Sequence, residues 1–203
     1  MFARMCWFQS SPEWVDDRVV IAQQILPLQG CVGMTLLINR GTGDGASVTY
    51  WDSPAALQAS EATEDALRTP TAAPDLLVQD LDRVEFLIQE GTVPPRTGSW
   101  VRLNDLRGSP AKVDVLAGLL RERIVPVATV QPGFHALIMG TNRQTGRSLV
   151  FSVWDTLAAR EASGAPFQAL RTEVRQLAGI EAVQVGLYES AFTEVKPPAA
   201  PLL

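Results

Sequence analysis

The sequence contains few of the residues that form metal sites, disulfides and nucleophilic centres. Its 203 residues include two cysteines, Cys6 and Cys31, and a single histidine, His135. The cysteines form no C-x-x-C pair and have no zinc-ligand spacing to the histidine, so we expect neither a metal site nor a disulfide framework. With a single histidine, the sequence also does not predict a catalytic Ser-His-Asp or Cys-His arrangement. Sparse cysteine is typical of a reducing compartment, and we expect a cytoplasmic protein.

A basic surface and a long apolar run are also missing. The chain has 17 Lys plus Arg against 22 Asp plus Glu, a net charge of -5, and no run of Lys or Arg. We therefore expect no nucleic-acid partner. No apolar stretch reaches the roughly 18 residues that span a bilayer, and residues 1–14 lack an apolar core with a cleavage site. We expect no membrane partner and no signal peptide, and the hydrophobic content of 46% is that of a globular protein.

An internal repeat organises the chain. Residues 30–69 align without a gap to residues 133–172 at a constant offset of 103, with 16 identities in 40 positions. Residues 2–16 match residues 100–114 at an offset of 98. We predict two units of domain size, residues 1–90 and residues 100–192, called the first half and the second half below. A Pro/Gly-rich linker at 91–99 joins them, and a disordered tail is expected at 193–203.

Each half has the pattern β-α-β-β-α-β. Ser11-Pro12 and Ser109-Pro110 predict the start of the first helix, and the second helix is expected after Ser53-Pro54 and after Thr156. This order of elements is that of the ferredoxin-like fold, and the fold class is α+β. Such a sheet carries helices on one face only, so its other face must be covered. We predict that the two sheets pack against each other as an intramolecular, pseudo-dimeric α/β-barrel.

Both halves also carry a motif on the second strand, the third strand and the second helix. The pattern G-F/C-x-A/G … W-D-S/T-x-A-A … A-S occurs twice, with its tryptophan at Trp51 and at Trp154. It resembles the antibiotic biosynthesis monooxygenase family of the dimeric α/β-barrel superfamily, whose members usually build the barrel as a homodimer. The resemblance implies a tandem fused form, no cofactor, and a small aromatic or polyketide-like substrate held in the barrel interior.

Two branches of that family can be compared with this chain. Haem-degrading members carry a second Trp seven residues after the motif Trp and a ligand His ten residues further on. The equivalent residues here are Gln58, Glu161, Arg68 and Arg171, which excludes haem binding of that type. Cofactor-free members place an Asn four residues before the Trp, where this chain has Ser47 and Val150. This departure favours a non-catalytic alternative.

Strand alternation separates two faces of each sheet. We predict that the uniformly apolar face meets the helices and that the mixed face lines the barrel interior. The predicted substrate-binding side chains on the mixed face are Arg4, Thr49, Trp51, Arg102, Asn104, Ser152, Trp154 and Gln184. The predicted catalytic residues, as proton acceptors, are Glu85, His135 and Tyr188.

The second half is predicted to be the better anion-binding half. Arg4 and Glu85 are expected on neighbouring strands as an ion pair, whereas the residue equivalent to Glu85 near Arg102 is Gln184. An enclosed pocket of roughly 300 Å³ or more beside Arg102 would support ligand binding. Three carboxylates at helical spacing are expected to form a solvated helix face. They are Glu61, Glu64 and Asp65.

Each candidate also has a purely structural interpretation. Trp51 and Trp154 are typical core anchors, the arginines are compatible with satisfied ion pairs, and His135 is compatible with a hydrogen-bonded core residue. Two functions therefore stay open. The chain is an antibiotic biosynthesis monooxygenase-like oxygenase, or it is a non-catalytic ligand-binding or structural barrel. We expect it to act as a monomeric pseudo-dimer or as a further homodimer.

Overall fold

The computed structural model describes residues 1–11, 15–67, 77–91 and 95–196, which contain eight strands in one closed barrel. The strands are β1 (Phe2–Gln9), β2 (Cys31–Ile38), β3 (Asp44–Trp51), β4 (Leu77–Gly91), β5 (Trp100–Gly108), β6 (Phe134–Asn142), β7 (Arg147–Trp154) and β8 (Ile180–Val195). All neighbouring strands pair antiparallel. The barrel and its helices confirm the α+β class.

The helices lie between the strands in the predicted order. They are α1 (Val15–Ile25), α2 (Pro54–Ala59), α3 (Glu61–Leu67), α4 (Val113–Leu119), a π-helical turn (Leu120–Ile124), α5 (Val125–Thr129), α6 (Leu157–Ala162) and α7 (Gln168–Ala178). Ser53 and Thr156 cap α2 and α6 through their side chains, as predicted. Ser109 makes no side-chain cap, although Pro110 begins a 3₁₀ turn there. Pro12, predicted to open α1, lies outside the described residues.

The order of strands around the barrel is β1-β3-β2-β8-β5-β7-β6-β4. Two long strands complete the ring. β4 pairs with β1 along its first part and with β6 along its last part, and β8 pairs in the same way with β5 and β2. β8 continues to Val195, three residues into the predicted tail, and the Lys196 backbone N–H donates to the Val32 carbonyl oxygen at 2.8 Å. Residues 197–203 of that tail lie outside the described part.

The barrel interior is apolar and packed. One cluster of buried side chains contains residues of all eight strands and none of the helices, among them Met5, Val48, Leu103 and Phe151. A space of about 10 Å³ lies beside Val48 and Phe151 of this cluster. The prediction that the mixed face lines the interior is therefore wrong for β1, β3, β4, β5 and β7 and right for β8, whose Tyr188 lies inside. A closed barrel excludes water completely and favours the apolar face, whereas backbone and polar groups of the helices supply partners for the mixed face.

One end of the interior is closed by an ion cluster. Arg147, the first residue of β7, binds Asp105 through two hydrogen bonds of 3.0 and 2.6 Å. Its guanidinium also lies 2.8 Å from Asp80 and 3.4 Å from Asp82, and it stacks 4.1 Å from the centroid of the Trp7 ring. The cation therefore holds strands β1, β4, β5 and β7 together at this end.

Gly186 of β8 leaves room for the ring of Tyr188 inside the barrel, because a Cβ at this position would overlap the ring atoms. We expect Gly186→Ala to lower the free energy of unfolding by about 1–3 kcal/mol, since the buried ring has to shift. Urea unfolding followed by circular dichroism measures the change. Gly118→Ala is the control, because nothing lies near its Cβ and Ala is favoured in a helix by roughly 0.5–1 kcal/mol. Equal stabilities of the two variants would contradict the described packing.

Candidate functional site

In the first half, a buried carboxylate joins the mixed face of the sheet to α3. Arg4 Nη1 lies 2.9 Å from Glu64 Oε1, and these side chains are 1% and 0% exposed. Glu64 also accepts hydrogen bonds from Ser60 Oγ at 3.0 Å and from Thr49 Oγ1 at 3.4 Å. The indole N–H of Trp51 donates to Thr49 Oγ1 at 3.0 Å. Three predicted substrate-binding residues therefore belong to a closed structural network, and the prediction that Glu64 lies on a solvated face is wrong.

The second half has the matching arginine without the carboxylate. Arg102 aligns with Arg4, and its guanidinium donates to Ser163 Oγ and to the Arg160 carbonyl oxygen, each at 3.0 Å. The residue that aligns with Glu64 is Phe167. Within the described parts of the chain, no carboxylate forms an ion pair with Arg102. The guanidinium charge is thus held only by neutral oxygen atoms.

Two further arginines raise the positive potential beside Arg102. Burial lowers the pKa of Arg102, and the charge of Arg160 lowers it further. Burial, followed by the charge of Arg102, lowers the pKa of Arg171 to about 10. Arg160 is 7% exposed, and burial lowers its pKa as well. All three remain cationic at neutral pH, so the region offers positive charge to an anion.

Beside this cluster lies a cavity of about 90 Å³ between the second-half sheet and its helices. Most of its lining is aliphatic or aromatic, and its polar members are two arginines, an amide and a hydroxyl. The residues that line it are Asn104, Leu106, Leu120, Ile124, Ala128, Leu137, Val150, Ser152, Trp154, Phe167, Arg171, Val174, Arg175 and Val183. The guanidinium of Arg171 stacks on the Phe167 ring, 5.4 Å from its centroid. The cavity therefore has an apolar body with a cationic edge.

The π-helical turn forms part of the cavity wall. Leu120 and Ile124, the first and last residues of the turn, both line the cavity and are both buried. A π-helical turn inside an α-helix is rare and occurs frequently at functional sites. This turn interrupts the helical run from Val113 to Thr129 where it passes over the cavity. The geometry thus supports the cavity as the candidate site.

The cavity differs from the predicted one in place and size. It lies outside the barrel, and its volume is below the roughly 300 Å³ expected for a ligand pocket. It is also smaller than an apolar cavity of about 150 Å³ that holds benzene. An aromatic ring therefore enters only if lining side chains shift. Three predicted residues, Asn104, Ser152 and Trp154, do line it, and Arg102 lies in the adjoining cluster.

The predicted catalytic residues are not brought together. Tyr188 lies in the barrel interior, where burial and then the charges of Asp44 and Asp105 raise its pKa, so the phenol stays protonated at neutral pH. Glu85 is on the surface at 3.2 Å from Arg143 and does not pair with Arg4. Tyr188 thus faces the barrel interior as predicted, whereas the placement of Glu85 contradicts the prediction.

His135 and Gln184 also lie away from the cavity lining. His135 is buried, with Nδ1 at 3.4 Å from Asp155 Oδ1 and Nε2 without a partner among the described atoms. Gln184 is exposed. The described ranges hold no cluster of three His, Cys, Asp or Glu side chains able to bind a metal. They also hold no helix long and apolar enough to cross a membrane.

The residues that sequence reasoning missed are Glu64, Phe167 and Arg171. The repeat contained a signal for the first two, because the arginine is kept between Arg4 and Arg102 while the carboxylate of Glu64 is replaced by the ring of Phe167. When the second half of the repeat retains the arginine but has no carboxylate at the position of Glu64, an uncompensated positive charge is predicted there. Arg171 was considered only as the residue at the haem-ligand position.

Comparison with solved structures defines the class of protein by its fold. The structure matches an anthrone oxidase-like protein with a TM-score of 0.74 at 15% identity, over 100% of this chain and 96% of the other. A ferredoxin-fold protein of Listeria monocytogenes related to antibiotic biosynthesis monooxygenases matches with a TM-score of 0.56 at 12% identity, covering 93% and 94%. A monooxygenase-like protein of Listeria innocua matches at 0.53 and 10%, covering 93% and 95%. The chain thus has the monooxygenase-like barrel fold that the motif predicted.

Two proteins related in sequence align with almost the whole chain. Rv2558, an uncharacterized protein of Mycobacterium tuberculosis, is 25% identical over 208 residues, which is 98% of this chain and 86% of the relative. Rv2557, an uncharacterized protein of the same organism, is 21% identical over 203 residues, covering 98% and 91%. No protein-family model matches the sequence.

Proposed function

We propose that the cavity binds a small aromatic or polyketide-like molecule and that the protein is a cofactor-independent oxygenase. The observation that carries the proposal is the apolar cavity edged by Arg171 and lined by Trp154, in a fold shared with monooxygenase-like and anthrone oxidase-like proteins. The indole of Trp154 offers a flat surface to a ring. Most remaining lining side chains are aliphatic, which favours an apolar ligand body.

The proposed chemistry relies on the substrate anion. A phenolate or enolate transfers electrons to dioxygen, one oxygen atom enters the ring, and the other leaves as water with two substrate hydrogens. Fixed positive charge from Arg171 and the neighbouring Arg102 would stabilise the oxyanion and lower the pKa of the bound substrate. The apolar lining would exclude water from the reactive anion. Because the lining within the described residues holds no general base, the substrate would release its proton to solvent and the arginines would hold the resulting anion.

A non-catalytic ligand-binding role is the second candidate. The observation that favours it is the lining itself, which contains no Asp, Glu, His, Lys or Tyr within the described residues. Such a cavity recognises a ligand without accepting a proton from it. A purely structural barrel would not need the cationic edge that the second half provides.

We also propose that the chain is a tandem duplication whose halves form the barrel as a pseudo-dimer. The sequence repeat supports this proposal, and so does the strand order, in which β4-β1-β3-β2 and β8-β5-β7-β6 follow the same pattern. The proposed units are residues 1–90 and 100–192. The linker at 91–99 would connect the end of β4 to β5.

The function is tested by binding and oxygen uptake with a panel of hydroquinones. We expect saturable tryptophan quenching and protein-dependent oxygen consumption, both lowered at least ten-fold by Ala128→Leu, which fills the cavity. Val130→Leu is the matched control, because Val130 is close in sequence, 76% exposed and absent from the lining. Both activities should survive in the control.

The outcomes separate the candidates. Quenching without oxygen consumption would contradict the oxygenase and support the binding protein. Wild-type protein that shows neither effect with any member of the panel would contradict both. Equal loss in the two variants would mean that the signal does not come from the cavity.

A further inference from the structure

The two halves hold their equivalent arginines by the same neutral contacts. Arg4 Nη2 donates to the Leu57 carbonyl oxygen at 2.8 Å, and Arg102 Nη2 donates to the Arg160 carbonyl oxygen at 3.0 Å. Leu57 and Arg160 are equivalent in the repeat. Each guanidinium therefore bonds to the helix that follows the third strand of its own half, and the scaffold around the cation is the same.

The halves differ in charge. In the first half, the Glu64 carboxylate neutralises Arg4 and collects two hydroxyl donors. In the second half, the equivalent hydroxyls are those of Ser152 and Ser163. Ser163 Oγ accepts from Arg102, and the side-chain hydroxyl of Ser152, which lines the cavity, makes no hydrogen bond with a described side chain. The second half thus has the cation and a free hydroxyl without the anion.

Positive charge without a neighbouring anion costs stability when the arginines that carry it are partly buried, as Arg102 and Arg171 are. Burial lowers the pKa of Arg171, and the charge of Arg102 lowers it further, while burial and then the charge of Arg160 lower the pKa of Arg102. An anion between Arg102 and Arg171 would offset this cost, just as removal of one partner from a buried ion pair costs stability. A carboxylate suits a planar guanidinium because it accepts two parallel hydrogen bonds.

We propose that the second half binds a small aromatic monocarboxylate, whose carboxylate partners Arg102 and Arg171 as Glu64 partners Arg4 in the first half. This inference rests on the proposed function, because the aromatic body would occupy the same cavity. The small volume favours a single ring over a fused system. The first half, with its own carboxylate, would take no such ligand.

Benzoate and its neutral analogue benzamide test the inference, at constant ionic strength in chloride buffer. We expect benzoate to quench tryptophan fluorescence with at least ten-fold higher affinity than benzamide and to raise the melting temperature. Acetate, which lacks the ring, should bind at least ten-fold more weakly than benzoate.

Variants locate the effect. Arg102→Gln and Arg171→Gln should each reduce the preference for benzoate over benzamide to less than three-fold. Arg40→Gln removes an exposed arginine of the first half that pairs with Glu189 at 3.1 Å, and it should keep the preference. Phe167→Glu places a carboxylate at the position of Glu64 and should remove the response to benzoate.

Each outcome decides the inference. Equal binding of benzoate and benzamide by the wild-type protein would overturn it while leaving the proposed function in place. Equal binding of benzoate and acetate would also overturn it, because the site would then recognise charge alone. Failure of hydroquinones, benzoate and benzamide to bind would overturn the proposed function as well. These comparisons use wild-type protein and do not depend on the folding of a variant.

Discussion

Arg147→Gln is expected to lower the free energy of unfolding by about 3–5 kcal/mol, because it leaves a buried carboxylate without its main cation. The Arg147 side chain is 8% exposed and the Asp105 side chain is 7% exposed. Burial by itself would lower the pKa of Arg147, but the hydrogen bonds and charges of Asp105 and Asp80 together outweigh burial and raise it. Without the guanidinium, the one cation among the described residues that still pairs with Asp105 is Arg107, at 3.8 Å. Urea unfolding at neutral pH measures the loss.

Arg143→Gln is the control for this prediction. Arg143 lies four residues earlier and binds Asp114 and Glu85, but it does so in solvent. Exposed pairs contribute little because water screens them, so the control should not differ measurably from the wild type. If the two variants are equally stable, the ion cluster does not hold the end of the barrel.

Glu64→Gln should have an effect of similar size, about 3–5 kcal/mol. The substitution keeps the shape of the side chain and leaves the Arg4 guanidinium, 1% exposed, with Glu61 at 3.5 Å as its remaining acid. Thermal and urea unfolding measure the loss. Glu189→Gln is the control, because its pair with Arg40 lies at the surface and should contribute roughly 0–1 kcal/mol.

The Glu64 variant has a second use. A loss confined to the surface-pair range would mean that the first-half carboxylate is not a required partner of Arg4. The contrast between the halves would then lose its energetic basis. A large loss would instead show that the fully buried Arg4 requires its acid, whereas the partly exposed Arg102 stands without one in the second half.

The order of elements could be predicted from the sequence because it depends on local signals. The caps at Ser53 and Thr156 and the strand before each motif tryptophan are set by residues within a few positions. The two faces of each strand were also separated correctly, since alternation is a property of the extended backbone. The direction of the faces was right for β8, whose Tyr188 lies inside, and wrong for β1, β3, β4, β5 and β7, because both faces are buried in a barrel surrounded by helices.

The candidate site could be predicted only in part. Ser152 and Trp154 were found because they lie on one face of β7, and Asn104 because it lies on the neighbouring strand β5. Leu120, Phe167 and Arg171 come from helices and turns distant in sequence, and no periodicity places them against that face. The pairing of Glu85 with Arg143 rather than with Arg4 likewise depends on contacts between the halves.

The sequence by itself determined the repeat, the element order, the barrel class and the imbalance between Arg4 with its acid and Arg102 without one. Only the tertiary structure decided which face turned inward and which carboxylate met which arginine. It also decided that the cavity opened beside the helices of the second half. Local propensity and alternation are encoded within a few residues, whereas burial and charge pairing depend on how distant segments close around each other.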